Sequence, residues 1–128
     1  MIYDDNNIFA KIINKDIPAE IIYEDDKVLA FNDISKAAKI HILLVPKQKF
    51  TSFDDFIANA DAQYIKYFFA KAKEIAAKYN IDESGYRLIT NHGKDANQTV
   101  FHFHMHILGG ENLGGLLAKD QLKRWLAS

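Results

Sequence analysis

Residues 101–107 read Phe-His-Phe-His-Met-His-Ile, a strict alternation of apolar and imidazole side chains. Successive side chains of a β-strand point to opposite faces. The segment Thr99–Leu108 is therefore expected to be a strand. Phe101, Phe103, Met105 and Ile107 go to the core, and His102, His104 and His106 line the other face. Gly109 and Gly110 end it. Whatever fold the chain takes must bury one side of this strand and leave three imidazoles together on the other.

The remaining elements follow from pattern and capping. Asp5, Asn6 and Asn7 precede Ile8, Phe9, Ile12 and Ile13 at helical spacing, which predicts a short helix running to about Asn14, with Pro18 closing the segment. The runs Ile21–Glu24 and Val28–Asp33, joined by Asp25 and Asp26, read as a hairpin with Leu29, Phe31 and Asp33 on one face. Ile40–Val45 is almost wholly apolar and stopped by Pro46, as expected of a central strand buried on both faces. From a cap at Asn59 or Asp61 to about Tyr79, an apolar stripe (Tyr64, Ile65, Phe68, Ala72, Ile75, Ala76) predicts the main helix. Gly85 opens a strand over Tyr86–Asn91, and a polar loop leads from there to the histidine strand. After Gly114 and Gly115, a last short helix would turn Leu122, Trp125 and Leu126 inward. This order lacks regular strand and helix alternation. It predicts an α+β class, with an antiparallel sheet covered mainly on one face, in a single domain over 1–128.

Composition limits the chemistry. The 128 residues carry a formal charge of -1 with no polybasic block, which argues against nucleic acid and anionic membrane surfaces as partners. Cysteine is absent, so disulfides, a catalytic thiol and thiolate metal sites are excluded. Asp4 and Asp5 stand where a secretory signal would be basic, and no apolar run approaches the ~20 residues of a membrane span. A soluble cytoplasmic protein is expected.

Three readings of the imidazole row compete. It could decorate an exposed sheet. It could bind a metal with help from His41 or His92. Or one neutral imidazole could attack phosphorus while its neighbours position it and protonate the leaving group. The flanks favour the last, because Gly93-Lys94-Asp95-Ala96-Asn97-Gln98-Thr99 supplies backbone N–H groups, an amide and a hydroxyl suited to phosphate oxygens. His41 opens the central strand, where it either approaches His102 or is a partly buried histidine with no role.

The run HFHMHIL, together with NIFAKIINKDIPAEIIYEDDKVLAFNDI, HILLVPK and GYRLITNHGKDANQTV, resembles the histidine triad (HIT) family, in its nucleotide-binding (Hint) branch. The resemblance covers about Asn7–Gly110 as triad core and leaves 111–128 as a tail. It implies a five-stranded antiparallel sheet with one long and one or two short helices, and a homodimer in which two such sheets join. The helix around Tyr64, Tyr67 and Phe68 is a candidate contact, unless those residues are ordinary core. It also implies hydrolysis of purine nucleoside phosphoramidates or acyl-nucleotides to the monophosphate, without metal or other cofactor. The alternatives are a nucleotide-binding regulatory module and a dinucleoside polyphosphate hydrolase.

By the same resemblance, His104 is the nucleophile, His106 contacts the phosphate, and His102 supports the site with His41. Asn91, Asn97, Gln98, Thr99 and Val100 match phosphate, ribose and leaving-group contacts, and Asp33 matches the carboxylate that accepts from the ribose. Ile8, Phe9, Ile12, Phe31, Ile34 and Leu43 match an apolar slot for the base, although Ile12, Phe31 and Leu43 would be core in any sheet of this layout. Two departures stand out. Many relatives carry a cysteine pair where this chain has Asn7 and Ala10, so the structural zinc that such a pair holds with two histidines is expected to be missing. Asn97 stands where glycine is common, and Asn is the non-glycine residue that best tolerates positive φ.

Overall fold

The computed structural model describes residues 1–117; the expected helix in the tail lies outside the described residues. Five strands form one antiparallel sheet: β1 (Ile21–Glu24), β2 (Val28–Asn32), β3 (Ile40–Pro46), β4 (Tyr86–Ile89) and β5 (Met105–Gly109), in the spatial order β1-β2-β3-β5-β4. The apolar run Ile40–Pro46 is the middle strand, as its composition requires. Helices α1 (Ile8–Ile13), α2 (Phe53–Asn59) and α3 (Ala62–Lys78) complete the α+β fold.

Period-two patterning divides the sheet into two faces. Val28, Ala30, Ile42, Leu44, Met105 and Ile107 point to one side, where they pack with Phe56, Tyr64, Phe68, Ala72 and Ile75 of α2 and α3. Leu29, Phe31, Leu43 and Val45 point to the other, under Phe9 and Ile12 of α1. Because β3 pairs with β5 so that Leu43 lies opposite His106, the His106 imidazole is on this second face, where the His104 ring, just ahead of β5, meets it and Phe9. Tyr64 and Phe68 are buried in the larger core, and the Tyr67 hydroxyl donates to Asp25, so this part of the helix packs against its own chain.

Local chemistry explains the ends of the helices. Asn7 caps α1 by accepting the Ala10 N–H at 2.9 Å, and Asp61 caps α3 by accepting the Gln63 N–H at 2.8 Å. At the far end of α3, Asn80 takes φ 60°, with its N–H on the Ala77 carbonyl and the Ile81 N–H on the Ala76 carbonyl, closing a Schellman motif. That turn seats Ile81 against Gly109, where a Cβ would meet the Ile81 side chain at 2.9 Å. Glycine at the end of β5 is thus a packing requirement.

Two expectations need correction. Helix α2 was not foreseen, yet its signal was present: Ser52 accepts the Asp55 N–H, Asp55 accepts the Thr51 N–H, and Phe53, Phe56 and Ile57 follow at helical spacing. The histidine strand is also shorter than expected. Ladder pairing starts at Met105, opposite Leu44: β3 runs on through Val45 and Pro46, but residues 101–104 are not strand, the Phe103 N–H goes to the Phe50 carbonyl and the His102 ring reaches the Pro46 carbonyl. Phe101 lies at the unpaired end and is exposed, whereas Phe103 reaches the core and stacks on Phe56 with centroids 4.5 Å apart.

Phe56 therefore couples α2 to the segment that carries the triad. Phe56→Ala is expected to cost about 3–5 kcal/mol of stability, read as a lower urea midpoint at unchanged slope.

Candidate active site

The site is built where β5 leaves the sheet. His102 is completely buried and both of its ring nitrogens are engaged: Nε2 lies 2.8 Å from the Pro46 carbonyl and Nδ1 lies 2.6 Å from the Tyr3 hydroxyl. A carbonyl only accepts, so Nε2 carries the proton and Nδ1 accepts from Tyr3. His104 follows with Nδ1 at 2.7 Å from the His102 carbonyl, which by the same rule fixes the proton on Nδ1 and leaves an electron pair on Nε2. Phe9 packs edge-on against the His104 ring at 4.7 Å and holds its plane. The Thr90 hydroxyl donates to the His104 carbonyl at 2.9 Å.

His106 is held in the opposite sense. The Ala37 N–H donates to His41 Nδ1 at 3.0 Å, so the His41 proton sits on Nε2, which lies 2.8 Å from His106 Nδ1. His106 Nδ1 is then the acceptor and its Nε2 is a donor. No fully enclosed side-chain nitrogen among the described residues lacks a partner. The free Nε2 atoms of His104 and His106 therefore reach the surface, one as a lone pair and the other as an N–H. The two rings stand 5.3 Å apart.

Burial keeps all four imidazoles neutral near pH 7. Desolvation pushes His102 and His106 down to about 4, reinforced by neighbouring imidazoles, and lowers His104 and His41 against the opposing pull of Asp33. Asp33 accepts the Ser35 N–H and brings its second oxygen to 3.5 Å from His41 Nε2. Ligand atoms of Asp33, His41 and His106 lie within 4.8 Å of one another, a grouping that could hold a divalent ion if the proton shared between the imidazoles were displaced.

Other expected residues are distributed unevenly. His41 sits against His106 and Asp33, so its hydrogen bond goes to the third triad histidine instead of His102: it lies two register positions, and so on the same face, from Leu43, opposite which His106 stands. His92 approaches Asp54 at 3.5 Å, away from the imidazole row. Gln98 is buried, and its amide is used up inside the protein, donating to the Thr51 and Val100 carbonyls and accepting the Gly93 N–H. Its part is to clasp the loop, which leaves Thr99 as the exposed hydroxyl there, with Val100 half-buried against the α1 cluster and Asn91 half-buried after β4. Asn97 adopts φ 60° and ψ 38°, the left-handed conformation that makes Asn the apt substitute for glycine. Ile12, Phe31 and Leu43 pack together as core beside Phe9, while Ile8 is exposed and Ile34 is 97% exposed.

The residues at the expected zinc position do not fit the metal. Asn7 is committed to capping α1, Ala10 offers no donor atom, both nitrogens of His102 are taken, and His41 lies elsewhere. Sequence reasoning missed Tyr3, Thr90 and the carbonyl of Pro46. Only Thr90 left a trace, as the residue following the strand that pairs with β5.

No helix among the described residues is long and apolar enough to cross a membrane. A HIT-like protein of Rickettsia prowazekii (strain Madrid E) is 51% identical over 115 residues, 90% of this chain and 96% of the relative. A protein of Escherichia coli (strain K12) named purine nucleoside phosphoramidase is 43% identical over 118 residues, 92% of this chain and 98% of that one. The solved structure of a HIT family hydrolase from Clostridium thermocellum superposes with a TM-score of 0.82 at 42% identity, covering 89% of this chain and 99% of the other. The HIT domain model matches residues 14–113, and with the imidazole row in place this chain belongs to the HIT family of hydrolases.

Proposed function

We propose that the chain hydrolyses purine nucleoside phosphoramidates or acyl-nucleotides at the α-phosphorus, releasing the nucleoside monophosphate. The opposed tautomers of His104 and His106 are the observation that carries this reading. The Nε2 lone pair of His104 attacks phosphorus, a P–N bond to His104 forms, and the bond to the leaving group breaks. The Nε2–H of His106 donates to a non-bridging phosphate oxygen. A departing amine takes up one proton, relayed from solvent through the Thr99 hydroxyl and the His106 imidazole, so neither imidazole is left as an anion. Water then attacks the phosphorus and loses one proton to solvent, returning the one taken up by the amine, as the bond to His104 breaks and the monophosphate leaves.

The name of the 43% identical relative supports the substrate class. The half-buried carboxylate of Asp33 is suited to ribose hydroxyls, and its placement beside His41 ties substrate binding to the donor pair. Metal independence belongs to the same reading, because the His41–His106 hydrogen bond uses the atoms an ion would need. So does a homodimer: among the described residues β4 is an edge strand with an unpaired side and a partly exposed Leu88, able to join a second copy.

His104→Ala should abolish AMP release from adenosine phosphoramidate while leaving the circular dichroism spectrum unchanged, and a labelled acid-labile nucleotide should be trapped on His104 of the unmodified protein. Full activity in that variant excludes the mechanism. Chelator treatment should leave turnover unchanged; loss restored by a divalent metal would transfer the reaction to the Asp33, His41 and His106 grouping. With His104 lowered by burial, kcat/KM should stay flat from pH 8 through the ordinary imidazole range near ~6.5 and fall only below it. Stability should move in the same direction. Between about pH 6.5 and about 4 the unfolded chain binds protons that the buried His102 and His106 do not, so stability rises with pH in that window. The urea midpoint should therefore drop as pH falls through it, before the depressed Asp25, pushed down to about 2, begins to contribute.

A further inference from the structure

Tyr3 has no part in the mechanism above, yet it touches the triad. Its hydroxyl reaches His102 Nδ1 across 99 positions of sequence at 2.6 Å, with the two rings edge to face at 5.5 Å. The segment bearing it is folded back and braced. Asp4 accepts from the Asn6 and Asn7 backbone N–H groups and from the Asn7 amide, and the Lys49 ammonium pairs with Asp5 at 2.6 Å and lies over the Tyr3 ring.

We propose that Tyr3 is a positioning residue for the reaction: by anchoring the His102 ring it holds the His102 carbonyl where it selects the nucleophilic tautomer of His104. The inference rests on His104 acting as nucleophile, and the geometry requires an anchor at this point. Residues 101–104 lie beyond the β-ladder, so their backbone has few tethers: the Phe103 N–H on the Phe50 carbonyl at 2.7 Å, the Thr90 hydroxyl on the His104 carbonyl at 2.9 Å, and, at residue 102 itself, the ring held between Pro46 and Tyr3. His102 Nε2–H stands in for the ladder bond that β5 no longer makes. Tyr3 closes the other side of the ring and stops it from rotating about its side-chain bond. With the ring fixed on both nitrogens, the peptide of residue 102 is fixed, and its carbonyl stays 2.7 Å from His104 Nδ1. The hydroxyl is a donor throughout the working range, because burial raises its pKa. Without that donor, His102 Nδ1 would be an unpaired acceptor in a fully buried side chain, and the ring would turn to recover a partner.

The test uses the complete chain with and without Tyr3→Phe, labelled with 15N at histidine. Long-range imidazole spectra of the unmodified protein at neutral pH should show His102 protonated at Nε2 with a hydrogen-bonded Nδ1, and His104 protonated at Nδ1. In Tyr3→Phe the His102 Nδ1 resonance should move towards that of a free imine nitrogen and the His104 resonances towards the tautomer average. For adenosine phosphoramidate, kcat should fall about tenfold while KM stays within about twofold. An unchanged kcat, or a His104 that keeps one tautomer in the variant, overturns the proposal. So does an unmodified protein whose His104 is protonated at Nε2, a result that needs no variant to fold. If the unmodified chain releases no AMP, the proposed activity fails, and the imidazole spectra alone decide the role of Tyr3.

Discussion

The period-two alternation from Phe103 to Ile107 is the constraint on which the rest of the molecule depends. Phe103, Met105 and Ile107 insert into the core beneath α2 and α3, and doing so leaves His104 and His106 no choice but the opposite face. A slip of one residue would bury two imidazoles among Phe56, Phe68 and Ile75 and expose the apolar set. Register, core and site are therefore one decision. The pairing of Leu43 with His106 then brings His41 of the neighbouring strand within hydrogen-bond reach of the third imidazole.

Burial gives these imidazoles their chemistry. An exposed histidine titrates close to physiological pH and exchanges its proton between two nitrogens. Here desolvation holds the rings neutral, and main-chain groups assign each proton: the His102 carbonyl for His104, and the Ala37 N–H, acting through His41, for His106. Two histidines separated by one residue are thereby made unlike, one presenting a lone pair and the other an N–H. Backbone groups do not move with solvent or salt, so this difference is built into the fold.

Much of this was legible in the residues. Helix α1 and its cap, the hairpin turning at Asp25 and Asp26, the buried middle strand and the long stripe of α3 all follow from short-range rules, since each depends on neighbours within a few positions. Helix α2 was overlooked although its capping pattern was present, because the stronger stripe of α3 begins directly behind it. The end of the β5 ladder was illegible for a different reason: it depends on groups distant in sequence, the Phe50 carbonyl that takes the Phe103 N–H and the Pro46 carbonyl that takes the His102 ring.

Sequence alone determined that His106 faces away from Met105 and Ile107 of its strand, that the chain is an α+β domain, and that it resembles the HIT family, because side-chain direction in a strand is a local property. It also indicated that Asn97 would tolerate the left-handed backbone of the phosphate loop. Only the tertiary structure decided which nitrogen of each ring carries the proton. That assignment comes from a carbonyl at Pro46, an N–H at Ala37 and a hydroxyl at Tyr3, groups joined to the imidazoles by the fold and unmarked in the residue pattern. Likewise, Gln98 read as a ligand for phosphate, and packing turned it inward to clasp the loop. A buried amide must satisfy every donor and acceptor it owns, and the nearest partners were backbone.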